Sequence, residues 1–276
     1  MVTLPWGLPL EVDTSEFIGA VVADCGIYDI SVVEAVFRLV DPTDRFVDFG
    51  ANIGYVSAAA VAAGAGSVLA FEPHPEIFPH LARNRALWVE ACPGLKDRIT
   101  VRQQAVSSEI GQAVLRIPES EFSRNHGVSS LEGGPGSEDE SFREIVVPTT
   151  CLDKVVELEA QPIGVLKVDI EGHELAVFGA GRDSLERGKV RDIIFEDPNG
   201  MDSPVARLLR ASKYEVVGLN KTPFGPSLLD AKAYDSWFYR ASRCGNLLAT
   251  RDLRRAQDRM RPRGFRCLHP QNALVH

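Results

Sequence analysis

The chain has 276 residues, of which 45% are hydrophobic, 25% charged and 8% aromatic, a balance that excludes global disorder and fibrous architecture. Thirty Lys and Arg against 38 Asp and Glu give a formal charge of −8 and an isoelectric point near 5.3, which argues against whole-surface binding of nucleic acid. The N-terminus carries no secretory pattern, and the uncharged run Phe49–Phe71 is too rich in Ala, Gly and Ser to span a bilayer, so a soluble, cytoplasmic protein is expected.

Residues 1–30 read as an extended lead-in with a helix near Ser15–Ala23, and Ser31–Leu39 has apolar residues at helical spacing before the Asp41-Pro42 turn. From Arg45 onward strands and helices alternate. Strand Arg45–Phe49, helix Gly54–Ala63, strand Ser67–Phe71, helix Pro75–Val89 and strand Ile99–Val106 come first. Strands Gln112–Ile117 and Ile145–Pro148 follow, then helix Leu152–Leu158, strand Val165–Val168, helix Glu174–Ala180 and strand Val190–Glu196. Such alternation predicts a mostly parallel sheet flanked by helices. Helix Ala206–Arg210 and strands Tyr214–Leu219 and Asn246–Ala249 are expected to close it with an antiparallel edge.

Two segments break the pattern. Glu119–Glu144 is rich in Ser, Gly and acids and reads as a lid; Arg251–Cys267 holds seven Arg against two Asp. The basic segment is either a solvated amphipathic helix and tail or a contact for a phosphate or acidic partner. The expected organisation is a helical lead-in (1–44), an α/β domain (45–250) with a lid insertion at 119–144, and a basic tail (251–276). The five cysteines are scattered and include no CxxC pair, so neither a zinc site nor a disulfide framework is indicated.

The most informative stretch is FVDFGANIGYVS, where a strand feeds a glycine turn into a helix. Gly50 and Gly54 allow a tight turn and close approach of a ligand. The spacing is not the dinucleotide GxGxxG, because Asn52 and Tyr55 replace its second and third glycines. Asp48, just ahead of the turn, would repel a pyrophosphate and suits the amino group of a methionine-like tail. Glu72, in FEP at the end of the next strand, is placed to accept hydrogen bonds from both hydroxyls of a ribose. Acids at both strand ends favour S-adenosylmethionine over NAD; the bland alternative is capping or surface charge.

These blocks, with LAFEPHP, QQAVSSEIG, LDKVV, VLKVDIEGHELAVFGAG and IIFE in order over residues 45–197, resemble the FkbM-type S-adenosylmethionine-dependent methyltransferases. The resemblance implies a class I methyltransferase fold with a seven-stranded sheet, and methylation of a hydroxyl on a sugar, glycolipid or natural-product scaffold. It implies that Asp48, Gly50 and Asn52 line the methionine end, with Ala51, Gly54 and Tyr55 in the same turn. Glu72, with Pro73 beside it, would bind the ribose; Gln104, Ala105 and Val106 would flank the adenine, and Asp169 would help hold the cofactor.

The chemistry beyond the cofactor stays open at this stage. Asp169, Glu171, His173 and Glu174 sit in and after a strand end; the three acids among them read as acceptors for ligand hydroxyls, as general bases, or, with Glu196 and Asp197, as oxygen ligands of a divalent metal. Glu171 is also a candidate cap for the following helix. Histidine suits proton transfer near neutral pH, so His173 is the leading base, His126 in the lid its rival, and Asp169 or Glu171 the remaining choice. Ser129 and Ser130 beside His126 could hydrogen-bond a sugar. An N- or peptide methyltransferase, or a non-catalytic cofactor-binding protein, is the alternative reading. The expected partner is a small hydroxylated acceptor, and the oligomeric state is open, a homodimer included.

Overall fold

Short apolar runs bounded by Gly, Pro and Asp set the strands in the computed structural model, which describes residues 1–118, 131, 142–158, 161–234 and 245–269. Strands β1 (Val2–Thr3) and β2 (Pro9–Leu10) pair antiparallel and lead into helices α1 (Phe17–Cys25) and α2 (Ile30–Leu39). Leu4, Trp6, Leu8 and Leu10 are at most 2% exposed and share one core with α2, so this lead-in is packed rather than appended. Replacing Trp6 by Ala would cost about 3–5 kcal/mol.

The parallel half begins with β3 (Arg45–Phe49), α3 (Tyr55–Ala62), β4 (Ser67–Phe71), α4 (Phe78–Ala91) and β5 (Ile99–Arg102). The expected strand Ile99–Val106 divides at Gln103 and Gln104. Beyond them β6 (Ala105–Ser107) joins β7 (Gly111–Pro118) and β8 (Phe142–Cys151) in a separate three-stranded sheet of order β6-β8-β7. The C-terminal end of the segment expected as a lid is strand instead. Phe142, Arg143 and Glu144 pair with Pro118, Ile117 and Arg116 in the β7–β8 ladder, while residues 119–130 and 132–141, His126, Ser129 and Ser130 among them, lie outside the described residues.

The chain then crosses back through α5 (Leu152–Glu157) to β9 (Ile163–Val168), α6 (Glu174–Ala180), α7 (Arg182–Glu186) and β10 (Val190–Glu196). It ends with α8 (Pro204–Ala211), β11 (Glu215–Thr222), β12 (Gly225–Leu229), α9 (Ala231–Tyr234), β13 (Asn246–Thr250) and α10 (Leu253–Met260). Among the described residues the large sheet has eight strands in the order β12-β11-β13-β10-β9-β3-β4-β5. Strands β3, β4, β5, β9 and β10 are parallel, and the two central ones, β3 and β9, are buried at every residue. Strand β13 is antiparallel but not at the edge: all five of its residues are buried, and it lies between β10 and β11, with the β11–β12 hairpin outside it. Alternation splits β3 between two cores, Phe46 toward α2 and α3, Val47 and Phe49 toward the opposite face.

Helix α2 is buried from Ser31 to Leu39, not along one stripe. The reason lies far along the chain, in the basic segment. Arg255 and Arg259 of α10 reach Asp41, Arg255 also reaches Asp192 at 3.0 Å, and the Glu34–Arg38 ion pair is sealed at 0% and 1% exposure. The Glu34 carboxylate accepts the backbone N–H groups of Arg266 and Cys267. Arg251 lies 4.7 Å over the Tyr214 ring and donates to backbone carbonyls of Leu185 and Ser212. Part of the Arg-rich segment is thus an internal clamp. Among the described residues no helix is long and apolar enough to cross a membrane.

Candidate active site

Strand order reverses between β3 and β9, and there the carboxyl ends of β3, β4, β9 and β10 surround a cavity. The β3–α3 turn is one wall. Gly50 and Gly54 have φ values of 74° and 90°, in the left-handed region that favours glycine. Protein packing also requires them: a Cβ on Gly50 would lie 1.8 Å from the Asp169 carbonyl oxygen, and one on Gly54 2.7 and 2.8 Å from Leu81 and Trp88. They admit β9 and α4 to the turn. Gly50, Ala51, Asn52 and Tyr55 line the cavity, whereas Gly54 does not.

Glu72 lines the cavity at 6% exposure. Its carboxylate accepts the backbone N–H of His74 on one oxygen and of Asn52 on the other, both at 2.9 Å. Each oxygen retains a lone pair for a ligand hydroxyl. Burial pushes its carboxyl up to about 7 despite those bonds. Pro73, Gln104, Ala105 and Val106 continue the lining, and Leu115 of β7 and Leu131 add apolar surface.

Asp48 does not line the cavity, contrary to expectation. It is fully buried, accepts the Ser57 hydroxyl at 2.6 Å, and lies 3.4 Å from Lys167 Nζ. Its charge is therefore matched from within the protein. Lys167 does line the cavity: it donates to the Gly50 carbonyl at 2.7 Å and lies 3.4 Å from Asp169, and those neighbouring acids hold its ammonium well above the usual lysine range despite burial.

At the other end Asp169, Glu171, Glu196 and Tyr28 converge. Glu171 and Glu196 keep an exposed edge, yet the protein wall behind them and the charge of Asp169 push both up to about 7. Burial and the charge of nearby Asp29 and Asp169 push the Tyr28 phenol up to about 12; its backbone N–H donates to the Tyr55 hydroxyl. Glu171 takes φ 52° and does not cap α6, whose N-cap position is His173 with no side-chain cap bond; the Glu174 carboxylate instead holds the preceding turn by accepting the N–H groups of Ile170 and Gly172.

His173 is not brought to the cavity. It is 6% exposed at the start of α6, with Nε2 2.9 Å from the Ser107 hydroxyl on β6. Asp197 is buried and accepts the Asn199 N–H. Of the five acids considered as metal ligands, three line the cavity, and among the described residues no three His, Cys, Asp or Glu are grouped to hold a metal ion. Sequence reasoning missed Tyr28 and Lys167. Lys167 had a signal, a lone charge inside an apolar strand; Tyr28 had none.

The strand order, the glycine turn and the acid at the end of the second strand define a class I methyltransferase. The FkbM methyltransferase domain matches residues 48–215, and the chain belongs to that family and is a methyltransferase. It is 28% identical over 194 residues to the hexuronic acid methyltransferase AglP of Haloferax volcanii, covering 69% of this chain and 72% of that one. The FkbM methyltransferase structure from Methylobacillus flagellatus is 14% identical with a TM-score of 0.46 over 87% of this chain; the chain spans 62% of that structure's length. An O-methyltransferase from Bacillus cereus, in complex with SAH, is 10% identical with a TM-score of 0.40, covering 87% of this chain and 90% of that one.

Proposed function

We propose that the protein transfers a methyl group from S-adenosylmethionine to a hydroxyl of a small acceptor of the sugar or glycolipid class. The observation that carries this reading is Glu72: a buried carboxylate on the cavity wall, held by two backbone N–H groups and presenting both oxygens as a ribose diol requires. The match to a relative named for a sugar acid supports the acceptor class.

When bound, the cofactor supplies an electrophilic methyl group on its sulfonium. Pro73, Gln104, Ala105 and Val106 would flank the adenine, and Asp169 would meet the amino-acid end. The acceptor would lie against Glu171, Glu196 and Tyr28, where positioning in line with the methyl supplies most of the rate. As the oxygen is alkylated its proton becomes acidic, and a neighbouring group must take it. With Asp169 given to the cofactor, Glu171 and Glu196 are the remaining carboxylates at that end, and we assign the proton to them in place of the buried His173.

The test is transfer of labelled methyl groups from S-adenosylmethionine to neutral glycosides, amino sugars and hexuronates, alongside calorimetry with S-adenosylhomocysteine and NADH. Labelled ether products on hydroxylated acceptors are expected. Binding of NADH without response to either sulfur cofactor would sink the reading.

A further inference from the structure

We infer that Lys167 recognises the carboxylate of the cofactor's amino-acid end, with Asp169 beside it for the amino group; this rests on the cofactor reading above. Lysine is costly in a strand that is otherwise apolar and buried on both faces, and the remaining residues of β9 are Ile, Gly, Val and Leu. Lys167 is 7% exposed and lines the cavity. Its one short bond is to the Gly50 carbonyl at 2.7 Å, while Asp48 and Asp169 both stand off at 3.4 Å. Strong ammonium–carboxylate bonds are about 2.7–2.9 Å, so two of the three donors hold loose partners. An incoming carboxylate can take them without disturbing the Gly50 bond.

The turn itself offers little to an anion. The N–H groups of Gly50 and Ala51 donate to the Phe71 carbonyl, Asn52 to Glu72, Ile53 to its neighbour's side chain and Gly54 to the Ala51 carbonyl. Lys167 is the cation among the described lining residues, and the Asp169 side chain beside it is 41% exposed. One positive and one accessible negative group, 3.4 Å apart, match a zwitterionic α-amino acid.

Calorimetry on three ligands tests this: S-adenosylhomocysteine, its decarboxylated analogue, and 5′-methylthioadenosine, which lacks the amino-acid tail. The wild-type protein is expected to bind S-adenosylhomocysteine about tenfold or more above the decarboxylated analogue. Lys167→Met should weaken S-adenosylhomocysteine by about 10- to 100-fold and leave 5′-methylthioadenosine within about threefold. Because Lys167→Met strands the buried Asp48 charge, Lys167→Met/Asp48→Asn is measured beside it and should likewise lose discrimination. Equal affinities of the wild type for the two tailed ligands, or discrimination that survives in the double variant, would overturn the assignment while leaving the cofactor reading intact. Failure of all three ligands to bind the wild type would overturn both.

Discussion

At the β4 end of the cavity Glu72 is 6% exposed and fixed by two backbone N–H groups, whereas at the β9–β10 end Glu171 and Glu196 stand at an exposed rim beside Asp169. All three carboxyls are pushed up to about 7, by different balances: burial opposed by hydrogen bonds for Glu72, burial reinforced by like charge for the other two. A carboxylate held rigidly suits a ligand that never varies. Carboxylates at a rim, poised near neutrality, suit proton exchange with an acceptor that arrives from solvent.

The largest effect expected is on the turn that joins these ends. Gly50→Ala forces a Cβ against the Asp169 carbonyl oxygen in a left-handed backbone, and should cost about 4 kcal/mol or more in denaturant unfolding. A near-wild-type midpoint would mean that β9 can yield there. The next effect separates the two ends kinetically. Glu171→Gln/Glu196→Gln should lower kcat by about 10²-fold with cofactor affinity within about threefold, while His173→Ala lowers the melting temperature and leaves kcat within about threefold. A His173 variant that is folded but inactive would return the base to the sequence-based choice.

Glu72→Ala should show the opposite signature, a loss of about 1.5–3 kcal/mol in S-adenosylhomocysteine binding. Unchanged affinity would move the ribose contact elsewhere. The smallest effect concerns pH. Glu72 is raised from 4.5 to about 7, so the folded protein holds that proton more tightly than the unfolded chain does. Its contribution to stability is present below pH 4.5 and is lost as pH rises toward and through 7. Thermal melts of the ligand-free protein should therefore fall across that window, and Glu72→Gln should flatten the slope; a variant with the wild-type slope would assign the effect to the rim acids.

The end of the cavity around Glu72 was legible because its parts are contiguous: a strand, a turn and a helix within a few residues, followed by one acid at the next strand's end. The opposite end draws Tyr28, Asp169 and Glu196 from distant segments, and no local pattern announces such a meeting. Asp48 shows the limit of motif reading. The same acid that looks poised for a ligand is neutralised from β9 by a lysine whose burial the apolar run VLKV already implied. The sheet was equally legible in type and less so in order, since the place of β13 depends on pairing rather than composition.

That placement bears on synthesis. Because β13 lies between β10 and β11, a nascent chain that has emerged only to residue 245 carries two unjoined pieces of sheet, each with a bare edge of backbone N–H and C=O groups. Strand β13 fills the gap, and α10 then fastens to Asp192 on β10 and to Asp41, more than 200 residues earlier in the sequence. Until Asn246–Thr250 has left the ribosome, those edges are open to mispairing with other chains.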